Sequence, residues 1–200
     1  MLFRSDLNGD GRPDLVIVDN MKWDIRWFEN PGLVEMNAPW PLHRVAAEKE
    51  VPGSYDVALA DIDRDGDLDV ASSSWRFGQR FDWFENVGEP GRGVEWRRHE
   101  VESNVGETRT IEAADFNHDG WPDLLGTSRT SHQVMWYANP GDRRDAAWKK
   151  TIIDGETKFP AHAHAIDLDR DGDLDVIAAA GIAAGVGNNS PESHQVVWYE

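Results

Sequence analysis

The 200-residue chain has no cysteine, so no disulfide framework marks it for an oxidising compartment, and none speaks against one. Long apolar runs are also missing. No stretch approaches the roughly 20 residues that would cross a bilayer as a helix, and the start, "MLFRSDLNGDG", lacks a charged segment followed by an apolar one. A secretory signal, if the parent protein uses one, is expected outside this sequence. Positive charge is scarce: 20 Lys plus Arg stand against 37 Asp plus Glu, a formal charge of -17, which argues against nucleic acid or an anionic membrane as a partner, while the lack of long apolar runs argues against membrane insertion. Helical patterning is absent too, with no long window carrying apolar residues at 3.6-residue spacing. What remains is a chain 40% hydrophobic with ten tryptophans, enough to furnish a core.

The charge is concentrated in a repeat. "DIDRDGDLD" begins at Asp61 and recurs as "DLNGDGRPD" from Asp6, "DFNHDGWPD" from Asp115 and "DLDRDGDLD" from Asp167, at intervals of 55, 54 and 52 residues. Each copy leads into a short apolar run and later into an aromatic segment, "IRWFENPG", "FDWFENVG", "VMWYANPG" or "VVWYE". The first three then reach "WPLHRV", "WRRHEV" or "WKKTII". These runs, bounded by "DG", "NPG" and "GE", read as strands. In the second copy they predict strands over 55–61, 68–74, 81–86 and 94–101. Four antiparallel strands per repeat predict an all-β propeller of four-stranded blades, approximately 1–54, 55–108, 109–160 and 161–200. A β-sandwich has no reason to repeat a whole four-strand unit. The fourth copy stops within its third strand, so the chain is expected to be part of a larger propeller whose open blade edge pairs with further sequence or another chain.

Each nine-residue motif places oxygen-bearing side chains at positions 1, 3, 5 and 9 with Gly at position 6. A hard cation takes about six to eight oxygens at roughly 2.4 Å, and a turn can aim alternate side chains and one carbonyl inward when its middle residue tolerates unusual dihedrals. The predicted ligands are Asp6, Asn8, Asp10 and Asp14; Asp61, Asp63, Asp65 and Asp69; Asp115, Asn117, Asp119 and Asp123; and Asp167, Asp169, Asp171 and Asp175. The carbonyls of Arg12, Asp67, Trp121 and Asp173 complete each set. An EF-hand would need Glu at position 12, where Ile17, Ser72, Gly126 and Ala178 stand. Mg²⁺ prefers a smaller shell that keeps its waters, and zinc wants Cys or His. The expectation is Ca²⁺, up to four ions, whose eight positive charges would bring -17 to -9.

These motifs, with "WFENPG" downstream and a period near 53 residues, resemble the FG-GAP/VCBS repeat family of β-propellers, whose calcium loops also occur in integrin α-subunit propellers. The resemblance implies an extracellular or cell-surface protein with a role in adhesion or carbohydrate binding, or the propeller of a polysaccharide-acting enzyme.

Strand order in a meander puts the acidic loops and the "NPG" turns on one face. The opposite face should carry Lys22 and Trp23; Trp75, Arg76 and Arg80; Arg129 and His132; and the insertion "GIAAGVGNNSPES". Trp and Arg suit sugar stacking and carboxylate recognition, with packing between blades as the alternative for the tryptophans. In "AHAHAID", His162 and His164 leave one side of a strand, aligned with Asp56, Ala58, Thr110 and Glu112, a side expected to line the central channel. With Glu112 these imidazoles can bind a metal or act as acid and base. Three classes stay open: a calcium-stabilised extracellular module for glycan or protein; the propeller of a polysaccharide lyase or sugar dehydratase; and a structural, self-assembling module. No nucleophile triad or phosphate loop raises the enzyme class.

Overall fold

The computed structural model describes residues 2–19, 21–33, 38–47, 49–87, 93–143, 146–181 and 195–200. They form strands β1 (Leu2–Ser5), β2 (Asp14–Asp19), β3 (Asp24–Phe28), β4 (Leu42–Ala46), β5 (Ser54–Ala60), β6 (Asp69–Ser74), β7 (Arg80–Val87), β8 (Glu95–Ser103), β9 (Thr108–Ala114), β10 (Asp123–Ser128), β11 (Gln133–Ala138), β12 (Lys149–Asp154), β13 (His162–Ile166), β14 (Asp175–Ala180) and β15 (Gln195–Tyr199). No α-helix occurs among the described residues. The strands pair as antiparallel meanders in four sheets, β1-β2-β3-β4, β5-β6-β7-β8, β9-β10-β11-β12 and β13-β14-β15. Most of the insertion "GIAAGVGNNSPES" lies outside the described residues.

The sheets pack face to face in chain order, with β2 beside β5, β5 beside β9, and β13 against β9 and β10. Each junction has its own apolar filling. Val16, Ile25 and Trp27 meet Val57, Val70 and Phe84; Phe81 and Trp83 meet Ile111, Leu124, Met135 and Tyr137; Leu125 and Val134 meet Ala163, Val176 and Ala178. Such separate inter-sheet cores are what radial stacking of blades produces, because the second strands of the two inner sheets are covered on both faces. All six residues of β6 and of β10 are accordingly buried.

The outer strand of a blade is held by a recurring aromatic pair. His43 stacks on Trp27 and His99 on Trp83, both with centroids 4.3 Å apart. The imidazoles also reach Glu29 and Glu85 at 2.9 and 2.7 Å. The "WFE" of the third strand and the His of the fourth are thus one unit. The aromatic segment does not bury every tryptophan: Trp136 stacks on Phe116 while half-buried, and Trp198 is 50% exposed on β15. Full burial between sheets is confined, among these four, to Trp27 and Trp83.

Blade spacing is tight where a small residue faces an aromatic one. A Cβ added at Gly126 in β10 would lie 2.6 Å from the Phe81 ring of the preceding sheet. Gly126→Val is expected to cost about 1–3 kcal/mol by overpacking, read as a lower urea midpoint. An unchanged midpoint would mean that the junction between the second and third sheets is looser than this.

Candidate functional site

The four acidic loops share one backbone path. The position-6 glycines, Gly11, Gly66, Gly120 and Gly172, have φ of 83, 103, 87 and 105°, and position 4 is also left-handed at Gly9, Arg64, His118 and Arg170. Within each loop, short turns are tied by side-chain oxygens. The position-3 side chain accepts from the position-5 N–H (Asn8 from Asp10, Asp63 from Asp65, Asn117 from Asp119, Asp169 from Asp171) at 2.9–3.2 Å. Position 5 then accepts from the position-7 N–H.

The position-9 aspartate is the anchor. Asp14, Asp69, Asp123 and Asp175 are buried at the start of each second strand. Through Oδ2 they accept the N–H of Leu7, Ile62, Phe116 and Leu168 at 2.9–3.1 Å. In the first three sheets Oδ1 accepts the N–H of Asn30, Asn86 or Asn139, at the C-terminal end of the third strand. This fixes the acidic loop and the end of the third strand on the same face.

Loops 2 and 4 gather three carboxylates each. One oxygen from each of Asp61, Asp63 and Asp69, and from each of Asp167, Asp169 and Asp175, lies within 4.8 Å of the others. Among the described residues, the buried Oδ1 atoms of Asp61 and Asp167 meet no hydrogen-bond donor. All-oxygen donors with orphaned, buried acceptors fit a hard cation. Loops 1 and 3 carry Asn at position 3, and the amides of Asn8 and Asn117 donate to Asp10 and Asp119 at 3.3 and 2.9 Å. The Arg12 guanidinium also pairs with Asp10, so these two loops already supply donors to part of their own charge.

Electrostatics follow from this crowding. Burial raises the Asp14 carboxyl, pushes Asp69 up to about 8 with Asp63 and Asp67 adding to it, and pushes Asp123 up to about 6 with Asp119 and Asp115 adding to it. Consecutive loops also touch. Arg64 lies over the Trp121 ring, 5.4 Å from its centroid, and His118 Nε2 is 3.2 Å from Asp173 Oδ1. In both cases the position-4 side chain reaches position 7 of the next loop.

The opposite face carries the sequence-predicted ligand residues in two states. Arg80 pairs with Asp82 at 2.8 Å and also reaches the Glu50 carbonyl, and Arg129 pairs with Glu107 at 2.9 Å. His132 Nδ1 accepts the Phe159 N–H. These three clasp hairpins to the linkers between blades. Trp75 is covered by guanidinium groups, with Arg76 at 3.9 Å and Arg109 at 4.6 Å from its centroid. Trp23 instead meets Phe77 of the next blade's hairpin at 5.0 Å, in a patch where Met21 is 90% and Phe77 64% exposed. Phe77 and Met21 were legible only as apolar residues in hairpins and were passed over.

His162 and His164 do share a cavity with Asp56 and Glu112. It measures about 490 Å³ and is lined by the inner strands β1, β5, β9 and β13. His164 Nδ1 lies 3.1 Å from Glu112 Oε2.

With this geometry in place, the relatives can be assigned. The FG-GAP-like repeat model matches residues 6–72 and 115–178, well over half of the chain, and the chain belongs to that repeat family. No curated protein matches it in sequence. A solved structure is similar in fold, described as showing specific recognition of non-reducing terminal N-acetylglucosamine by an Agrocybe aegerita lectin, with 19% identity and a TM-score of 0.59. The match covers 98% of this chain and 52% of the lectin chain, so this chain spans about half the length of that neighbour. The shared architecture is the β-propeller of four-stranded antiparallel blades.

Raised carboxyl values set a pH dependence. Unfolding returns Asp69 to the ordinary carboxylate range, so the stability it contributes is fully present below about pH 4 and is lost as pH rises towards 8. In calcium-free buffer the melting temperature is expected to be lower at pH 8 than at pH 5, and Asp69→Asn should flatten that slope. An equal or steeper slope in the variant would remove Asp69 as its source.

Proposed function

We propose that this chain is a calcium-stabilised, extracellular or cell-surface propeller module that binds a glycan or protein ligand on the face opposite its acidic loops. The observation that carries the reading is the convergence of carboxylates in loops 2 and 4 around buried oxygens with no donor. Several like charges held this close are unfavourable until a cation joins them. When bound, calcium supplies the positive charge that the anchoring aspartates lack. Asp61, Asp63, Asp65 and Asp69 with the Asp67 carbonyl would hold it in loop 2, and Asp167, Asp169, Asp171 and Asp175 with the Asp173 carbonyl in loop 4. Loops 1 and 3 are the weaker pair, because Arg12 and the Asn amides compete for the same oxygens.

The ligand reading draws on the other face. Half-buried Trp23 and exposed Phe77 form an aromatic platform across two neighbouring hairpins, with Arg76 beside Phe77 in the chain. Aromatic faces beside a guanidinium suit the apolar face and polar rim of a sugar. The N-acetylglucosamine recognition described for the Agrocybe aegerita lectin supports glycan over protein as the first ligand class to try.

Two measurements test this. Calcium at about 100 times its Kd should stabilise by about 2.7 kcal/mol per site through mass action, so the melting temperature rises with calcium and falls with excess EGTA. Calorimetry should resolve a tighter pair of sites from a weaker pair, and Asp61→Asn with Asp167→Asn should abolish the tighter ones. A melting temperature indifferent to EGTA would sink the calcium claim. On a glycan array, Trp23→Ala and Phe77→Ala should each weaken binding about three- to tenfold, the worth of one aromatic contact. Binding that both variants retain in full would move the ligand site elsewhere.

A further inference from the structure

The fourth sheet, β13-β14-β15, buries one face and leaves the other apolar and open. Val176, Ala178 and Tyr199 turn towards the third sheet. In the register of β14 and β15, Ile177 pairs with Trp198 and Ala179 with Val196, so these four share the opposite face. Trp198 is exposed there, Val196 is 75% exposed, and Ile166 on β13 is exposed beside them. In the first two sheets the same face is covered. Trp27 and Trp83, at the position of Trp198 in their repeats, are buried against the next sheet. What receives each is a cross-strand pair, an aliphatic residue of the second strand with an aromatic one of the third. Val70 with Phe84 receives Trp27, and Leu124 with Tyr137 receives Trp83. The first sheet presents a pair of the same kind, Leu15 with Phe28, half-buried on the face turned away from the second sheet. Leu42, 52% exposed, extends that face onto β4. Charge matches as well. Arg4 shares the face with Leu15 and lies two residues before Asp6, while Glu200 stands beside Asp169 and Asp171 at the acidic-loop end of the fourth sheet.

We propose that two copies of this chain associate head to tail, the outer face of the fourth sheet of each copy seating on the outer face of the first sheet of the other. Trp198 then packs on Leu15 and Phe28 as Trp27 packs on Val70 and Phe84. The contact continues between molecules the packing that already joins the four sheets. Two is the number that fits, because the chain spans about half the length of the lectin that shares its architecture, and a head-to-tail contact makes a closed ring when its rotation closes. Arg4 of one copy faces the acidic rim of the other, which favours this orientation over pairing of two fourth sheets. The proposal rests on neither calcium in the loops nor a glycan ligand.

Sedimentation equilibrium of the chain across concentrations should find a species of twice its 22.5 kDa mass. Trp198→Asp and Leu42→Asp break opposite faces, and each alone should shift the chain to monomer. Trp198→Asp should raise the dissociation constant at least about 30-fold, as loss of a central aromatic anchor does. Mixing the two variants should recover a dimer, weaker than the original, because one copy keeps its first-sheet face and the other its fourth-sheet face. That recovery also shows both variants to be folded. In the unmodified chain, dilution through the dissociation range should shift tryptophan emission to the red as Trp198 meets water. An emission spectrum unchanged across that range overturns the proposal. Leu42→Asp that stays fully dimeric while Trp198→Asp is monomeric means that two fourth sheets pair, and the head-to-tail arrangement is wrong. It is wrong also if the unmodified chain is monomeric at every concentration, leaving the face to a different polypeptide, or if it grows into open chains larger than the dimer.

Discussion

Each blade hangs on one buried carboxylate. Asp14, Asp69, Asp123 and Asp175 bind the N–H of the residue that opens the acidic loop, and three of them also bind the N–H that ends the third strand. The same side chain therefore closes the loop, starts the second strand and sets where the third strand leaves the sheet. A charge at that depth is costly unless positive groups face it. Two N–H dipoles meet the geometric need but not the whole electrostatic one, which is why the carboxyls of Asp69 and Asp123 resist ionisation. The acidic loop beside each anchor is the second half of that arrangement: it makes the deficit larger, with Asp63 and Asp67 adding to the rise at Asp69 and Asp119 and Asp115 to that at Asp123.

The strands were legible because two independent signals agree. Alternating apolar residues mark each run, and glycine or Asn-Pro-Gly turns mark each end. The four strands read for the second repeat fall within two residues of β5, β6, β7 and β8 at every boundary. The loops were legible for a related reason: a φ of 83 to 105°, beyond the left-handed range that Arg64, His118 and Arg170 occupy, excludes nearly everything but glycine, and position 6 is glycine in all four. Burial was less legible, since it depends on the neighbouring sheet. Trp27 and Trp83 fill junctions, while Trp136 and Trp198 occupy the same place in the repeat without the same cover.

The basic residues of the face opposite the acidic loops show the same limit. Arg80, Arg129 and His132 looked available in the sequence because nothing nearby in the chain neutralises them except Asp82. Folding brings the Glu50 carbonyl, Glu107 and Phe159 to them across 22 to 30 residues. Their work is to tie each hairpin to the linker before or after it. The aromatic platform was missed for the opposite reason. Phe77 reads as one more core residue, and only the left-handed turns at Trp23 and Arg76 place that pair of hairpins side by side with their rings outward.

The two faces are joined by the second strand of each blade. β6 runs from Asp69, in the acidic loop, to Ser74, next to Trp75 on the opposite face, and all six of its residues are buried. β10 links Asp123 to Ser128 and Arg129 in the same way. A strand packed on both faces cannot slide by a fraction of a residue, because its side chains interlock with close-packed neighbours on each side. Contacts from Arg64 to Trp121 and from His118 to Asp173 extend the coupling sideways, each loop bracing the next. Gly9 has no side chain to make the corresponding contact from the first loop to the second. The first blade is therefore the one whose acidic loop is braced least, and blade 1 supplies half of the exposed platform through Trp23.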